Sequence, residues 1–176
     1  MDDILSAIIG IALASILMFI FPLITMSDRT DDISQLTIKI ATTEFADNVK
    51  EAGKITSSEY NKFIQNIGST GNTYNVELEV RVLDENPSRR VVQSSSLNQP
   101  TENIYYSIYT SQIQEVLERE NDYLLKEGDI FTVNVKNTNQ TMSQQLKNFF
   151  YKVIGKDTYI IAATGTGLVT TTGKTN

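Results

Sequence analysis

Residues 4–26 read ILSAIIGIALASILMFIFPLITM, an apolar stretch broken only by small or weakly polar residues and one proline. A helix needs roughly 20 apolar residues to cross about 30 Å of hydrocarbon. The sequence therefore predicts a transmembrane segment at residues 1–27. A cleaved secretory signal is the alternative, but such a signal has a basic start and only about 7 to 15 apolar residues. The start Met1-Asp2-Asp3 and the longer apolar stretch favour an uncleaved anchor.

A helical pattern continues beyond the apolar stretch. Apolar residues recur at steps of three, four and five among polar neighbours: Ile33, Leu36, Ile40, Phe45, Val49 and Ala52. This spacing is typical of a helix with one apolar face. No glycine or proline interrupts it before Gly53, so we expect one helix of about 50 residues. Its amphipathic half, residues 28–53, should lie on a globular domain with that face inward. Pro22 lacks a backbone donor and should kink or loosen the helix.

Residues 54–176 are predicted to form one globular α+β head, a small antiparallel sheet with helices packed on it. Two capping boxes, Thr56-x-x-Glu59 and Thr141-x-x-Gln144, predict the starts of two helices. Alternation of apolar and polar residues predicts strands at 74–82 and 129–136.

The remaining parts of the head are less sharply patterned. Residues 104–109 fit either a strand or the start of a helix, and 111–126 are expected to be helical. A turn at 84–88 should return the chain along 89–93 as a hairpin partner. The end of the chain should form a closing strand or a hairpin, with Gly165-Thr166-Gly167 between its two halves.

Composition excludes several classes of function. The chain has no cysteine and no histidine, so disulfides, thiolate metal sites and histidine-based catalysis are absent. Its net charge is −6, and Arg89-Arg90 is its largest basic cluster, which argues against nucleic-acid binding. The acidic residues at 28–32 do not follow calcium-loop spacing and are expected to be solvated. We predict no catalytic residue, no cofactor and no metal, and therefore no enzyme.

The last residues contain Thr172-Gly173-Lys174-Thr175, which matches the end of a phosphate-binding loop. That loop requires a glycine where this chain has Leu168, and a helix must follow it. We therefore expect a frayed polar tail and no nucleotide site.

The apolar half-helix carries the candidate assembly residues. Ser6, Gly10 and Ala14 lie four residues apart on one face, and such a small-residue ridge lets a second helix approach closely. Asp2 and Asp3 are favoured at a helix N-terminus by the helix dipole. They could neutralise a neighbouring subunit's terminal amine or simply mark the water-facing end.

An apolar half-helix with an early acid, a proline near its far end, an amphipathic continuation and a small α+β head together resemble a type IV pilin or pseudopilin. The resemblance covers the organisation of the whole chain and, by residue, Asp2 or Asp3, the small-residue ridge and Pro22. It implies that the apolar half is first held in the membrane and is then extracted by an ATPase-driven assembly machine. The extracted helix would pack into the core of a filament, with the heads outward. The resemblance further implies that the early acid pairs with a neighbour's N-terminus and that the helix melts near Pro22.

A prepilin carries a short basic leader ending in glycine, which is not part of this sequence. We therefore expect either a leader beyond the given sequence or a similarity to leaderless minor pilin-like subunits of tight-adherence pili. The expected function is a structural subunit of a pilus-like filament, or an accessory pseudopilin of a secretion, adhesion or transfer apparatus. The alternative is a membrane-tethered extracytoplasmic binding or sensor module that forms no filaments.

The expected partners are membrane lipid, copies of the chain or other pilin-like subunits, and membrane assembly machinery. The resemblance implies an extracytoplasmic head and, after assembly, a cell-surface filament. Charge gives a weak opposite indication, because the flanking cations Arg29 and Lys39 both follow the predicted span.

Overall fold

A computed structural model describes residues 2–83, 105–151 and 160–174. It begins with one helix, α1 (Asp2–Ala52), of 51 residues, which is roughly 75 Å long at 1.5 Å per residue. The helix runs through Pro22 without interruption. The expectation of one long helix followed by a small α+β head is confirmed.

The described part of the head contains nine further elements. They are β1 (Lys54–Thr56), α2 (Ser57–Gly68), β2 (Tyr74–Leu83), β3 (Tyr105–Tyr109), α3 (Thr110–Glu120), β4 (Asp122–Leu124), β5 (Ile130–Asn137), α4 (Met142–Tyr151) and β6 (Ala162–Leu168). Four strands form an antiparallel sheet in the order β3-β2-β5-β6, while β1 and β4 pair separately. Of the two alternatives for residues 104–109, the described residues Tyr105–Tyr109 form a strand. The predicted turn at 84–88 and hairpin partner at 89–93 lie outside the described residues.

The second half of α1 packs on β5 and β6 and forms the centre of the core. Phe45 is buried there, stacked on Phe63 of α2 with ring centroids 4.5 Å apart. The edge of Phe131 from β5 completes the aromatic cluster at 5.9 Å. Offset and edge-on ring contacts of this kind stabilise a core beyond the burial of apolar area.

The buried face of α1 differs from the predicted one. Ile33, Leu36 and Ile40 are exposed, at 59%, 58% and 50%, and Ala52 is exposed as well. Phe45 and Val49 are buried as expected. The face that meets the head consists of Asp31, Ser34, Ile38, Ala41, Thr42, Phe45, Ala46 and Val49. Small side chains let the helix lie close to the sheet. Close packing, and not apolarity alone, therefore determines which face of α1 is buried.

Gly165 of β6 allows that close approach. A Cβ atom at this position would lie 2.8 Å from the Ala46 Cβ and 3.0 Å from the Thr42 carbonyl oxygen. Gly165-Thr166-Gly167 is paired along its whole length with β5, so the strand, and not the hairpin, is the correct alternative. Gly165 marks a close approach to the α1 backbone, and Gly167 lies beside the Lys50 side chain. A sequence pattern cannot distinguish such glycines from those of a turn.

The helix α3 is shorter than predicted. It ends at Glu120 because Asn121 takes a left-handed conformation with φ of 61°, and its N–H donates to the Leu117 carbonyl at 3.1 Å. The chain then enters β4, which pairs with β1. Both predicted helix starts are confirmed: the Glu59 N–H donates to Thr56 Oγ1 at the start of α2, and Thr141 and Gln144 form the reciprocal bonds of a capping box at the start of α4.

Residues 169–174 close over the C-terminal end of α1, so the expected frayed tail is wrong for residues 172–174. The Thr170 N–H donates to the Lys50 carbonyl at 3.1 Å, and the Gly173 N–H donates to the Leu125 carbonyl at 2.9 Å. A Cβ atom at Gly173 would lie 2.1 Å from the Gly53 carbonyl oxygen. The two glycine backbones therefore touch directly, and the tail holds the helix end.

The close contact between α1 and β6 gives a first prediction. Gly165→Ala should lower the free energy of unfolding by about 1–3 kcal/mol, because the added methyl group overlaps α1. Gly68→Ala is the matched control, since a Cβ atom there meets nothing within 4 Å. Chemical denaturation of the detergent-solubilised chain measures both. Equal stability of the two variants would show that the contact tolerates a methyl group.

A second prediction concerns Tyr123 of β4. Burial, the Asp129 carboxylate and then Tyr106 raise its pKa from 10.0 to about 12. The folded state therefore favours the neutral phenol, and this contribution to stability is complete below pH 10.0 and is lost as the pH rises towards about 12. Unfolding free energies measured across this range should fall more steeply for the wild type than for Tyr123→Phe. Parallel curves would contradict the prediction.

Candidate assembly surface

The first half of α1 is an uncovered apolar surface. Every side chain from residue 3 to residue 19 is exposed. By length and composition the helix can cross a membrane, and none of its most apolar window is buried by the rest of the chain. Large exposed apolar surfaces are typical of sites that contact a membrane or another protein.

The predicted ridge residues lie on this uncovered surface. Ser6, Gly10 and Ala14 are all exposed, and a Cβ atom at Gly10 would meet nothing within 4 Å. Ser6 Oγ donates to the Asp3 carbonyl at 2.9 Å, so its polar group is satisfied within the helix. The ridge therefore presents a smooth face that the head does not use, and its role in helix packing stays a prediction.

The other predicted site residues lie at the two ends of the apolar half. Asp2 begins the helix and Asp3 is exposed beside it. Pro22 is exposed near the other end, and it leaves the carbonyl of Met18 without its usual helical donor. The structure brings these residues to one helix but not to one point, and their assembly roles stay predictions.

The sequence did not predict a polar junction that joins α1, just beyond its apolar half, to the start of α4. Thr141 Oγ1 donates to Asp31 Oδ2 at 2.6 Å, and Ser143 Oγ donates to Asp28 Oδ1. Asp31 is only 6% exposed. The expectation that the acidic residues at 28–32 are solvated is therefore wrong for Asp31.

The same junction places both carboxylates at the start of α4. The Thr141 N–H donates to Gln144 Oε1 at 3.0 Å, and the Gln144 N–H donates back to Thr141 Oγ1 at 3.2 Å. The positive end of the α4 dipole thus faces negative charge on α1, which favours the contact. The capping box was visible in the sequence, but its partner lies 110 residues away along the chain.

An open groove of about 470 Å³ lies beside the junction, between α1 and the loops that carry Gly71 and Asn139. Asp31 is the one charged residue among those that line it, and its carboxylate already accepts from Thr141. Within the described parts of the chain, no group of three or more potential metal ligands comes together. The described surface thus offers an apolar helix and its rigid connection to the head as the main candidate site.

The chain matches no protein family, no curated protein sequence and no solved structure. Its function is therefore inferred from its own geometry and chemistry.

The junction gives a third prediction. Thr141→Val keeps the shape of the side chain but removes the donor to Asp31 and the cap of α4. We expect a loss of about 1–3 kcal/mol in stability and faster proteolysis of α4. Met142→Ala is the matched control, because the neighbouring Met142 is exposed. Limited proteolysis with mass spectrometry compares the variants, and unchanged cleavage in Thr141→Val would show that the junction does not hold α4.

Proposed function

We propose that this chain is a single-pass membrane subunit that assembles through α1 into a pilus-like filament, as a structural or an accessory pilin-like subunit. Its function is assembly and not catalysis. The observation that carries the proposal is that one helix is both an uncovered apolar rod and the central element of the head core.

The rigid connection between rod and head supports assembly over simple tethering. No glycine or proline lies between Pro22 and Gly53, so the chain has no flexible residues where the rod enters the head. A tethered module needs only a flexible linker between its anchor and its domain. Here Ile38, Phe45 and Val49 of the same helix are buried in the head. A force on the rod, or a change in its packing, is therefore transmitted directly to the head.

The uncovered half of α1 suits two successive environments. Lipid covers its apolar side chains before assembly, and neighbouring helices cover them in a filament. Ser6, Gly10 and Ala14 allow those neighbours to approach closely. Asp2 or Asp3 would pair with a neighbouring terminal amine, and the missing hydrogen bond at Pro22 would let the helix stretch locally. The partners are copies of this chain or related subunits, together with the machinery that extracts them.

The first test is the fate of the polypeptide in its host. Surface material is sheared from cells, imaged by negative stain and probed with an antibody against the head. Filaments that contain the chain support the proposal. Recovery of the chain solely as detergent-extracted monomer or dimer would refute it and would favour a tethered binding or sensor module. Protease treatment of intact cells determines on which side of the membrane the head lies.

A fourth prediction tests the small-residue ridge. Gly10→Leu should reduce the yield of sheared filaments at least about tenfold, because the larger side chain separates helices that pack through the ridge. The fold of the subunit should not change, since a Cβ atom at Gly10 would meet nothing within 4 Å beyond its own turn of helix in the described chain.

Ala12→Leu is the matched control for this ridge variant. It adds a similar apolar volume on the opposite side of the helix, at about 100° per residue. Both variants should insert in the membrane to the wild-type level. Equal filament yields from Gly10→Leu and Ala12→Leu would remove the ridge from the assembly interface.

A further inference from the structure

A second uncovered apolar surface lies on the half of α1 that the head holds. Ile33, Leu36 and Ile40 are half or more exposed, and their spacing of three and four residues places them on one face. At about 100° per residue this face points away from the buried residues Ile38 and Phe45. We call Ile33, Leu36 and Ile40 the outer stripe.

In the proposed membrane-anchored chain, lipid does not cover most of the outer stripe. If the span ends near residue 27, the stripe extends from about 9 to 20 Å beyond it at 1.5 Å per residue. The hydrocarbon core ends with the span, and the headgroup layer adds only about 5–7 Å on each side. Most of the stripe therefore stands in water, where three large apolar side chains on one helix face favour a protein partner.

We propose that the outer stripe packs against the same stripe of a second copy of this chain, in a parallel and in-register pair. Ile33 and Ile40 are seven residues apart with Leu36 between them, which is the a and d pattern of a two-stranded coiled coil. The pair is parallel because both copies enter one bilayer by the same helix end, a condition that rests on the membrane anchoring in the proposed function.

Charges beside the stripe match this arrangement. In a parallel pair, a residue at position g meets the residue at position e of the next heptad on the partner, five residues further along. Lys39 occupies g and Glu44 occupies the following e. Both side chains are exposed, and within the described ranges neither takes part in an ion pair. The twofold symmetry therefore forms two ion pairs, from Lys39 of each copy to Glu44 of the other.

Charges also limit the stripe at both ends. Arg29 precedes it at the level of the lipid headgroups, whose phosphates can neutralise the guanidinium group. Asp47 follows it and is bonded to Lys50 of its own helix at 2.7 Å. The contact thus covers about two helical turns, which is small for an independent interface. Anchoring both helices in one membrane raises their effective concentration and lets a small contact suffice.

Cysteine crosslinking tests the pair, because the natural chain contains no cysteine. Full-length Leu36→Cys in native membranes should form a disulfide-linked homodimer on mild oxidation, since facing d positions lie within the Cα separation of about 4.4–6.8 Å that a disulfide needs. Asn48→Cys is the matched control, exposed on the same helix but off the stripe. We expect the dimer yield of Asn48→Cys to be at least about fivefold lower than that of Leu36→Cys.

Charge reversal then tests the register. In the Leu36→Cys chain, Lys39→Glu or Glu44→Lys alone should lower the dimer yield roughly threefold, and the two together should restore it. No restoration in the double reversal would overturn the in-register pairing. A disulfide adduct with a different protein, or no adduct at all, would overturn the pair itself.

The two proposals fail separately. Normal filaments from a Leu36→Cys chain that stays monomeric on oxidation would overturn the pair and leave the filament function standing. Homodimers in membranes of cells that make no filaments would support the pair and refute the filament function.

Discussion

The fold depends on how closely α1 approaches the sheet. Gly165 removes the side chain that would otherwise separate β6 from the helix, and Thr42 and Ala46 present small groups to it. At this distance Phe45 can reach between α2 and β5 to form the aromatic cluster. The same contact fixes the rotation of the helix about its own axis. It therefore determines which face of α1 is buried in the head and which face stays exposed.

Polar contacts fasten the helix at both ends of this region. Next to the apolar half of α1, Asp31 accepts from Thr141 at the capped start of α4. At the other end, the tail bonds to Lys50, and Gly53 meets Gly173 backbone to backbone. Unmet hydrogen bonds in a nearly buried position are costly, so each contact resists sliding of the helix along the sheet. Rod and head consequently behave as one body.

Local patterns in the sequence predicted much of this architecture. Apolar length and the absence of glycine and proline between Pro22 and Gly53 predicted the single helix. The boxes at Thr56 and Thr141 predicted two helix starts, because these signals lie within a few residues of each other. The face of α1 could not be predicted this way. Ile33 and Leu36 are more apolar than Ser34 and Thr42, yet a strand that passes close to the helix requires small groups. The partner of Asp31 and the role of Gly165 likewise depend on residues more than 100 positions away.

No glycine or proline lies between Pro22 and Gly53, so a tilt of the apolar half of α1 moves the head with it. About 25 residues separate the end of the predicted span from Ala52, which is roughly 38 Å of helix. Membrane helices commonly tilt by about 20° from the bilayer normal, and such a tilt displaces the far end of α1 sideways by roughly 13 Å. If α1 spans a bilayer as proposed, a local change in bilayer thickness alters this tilt, because a helix adjusts its angle to match its apolar length to the hydrocarbon. The head would then swing across the membrane surface and reorient without any change in its own fold.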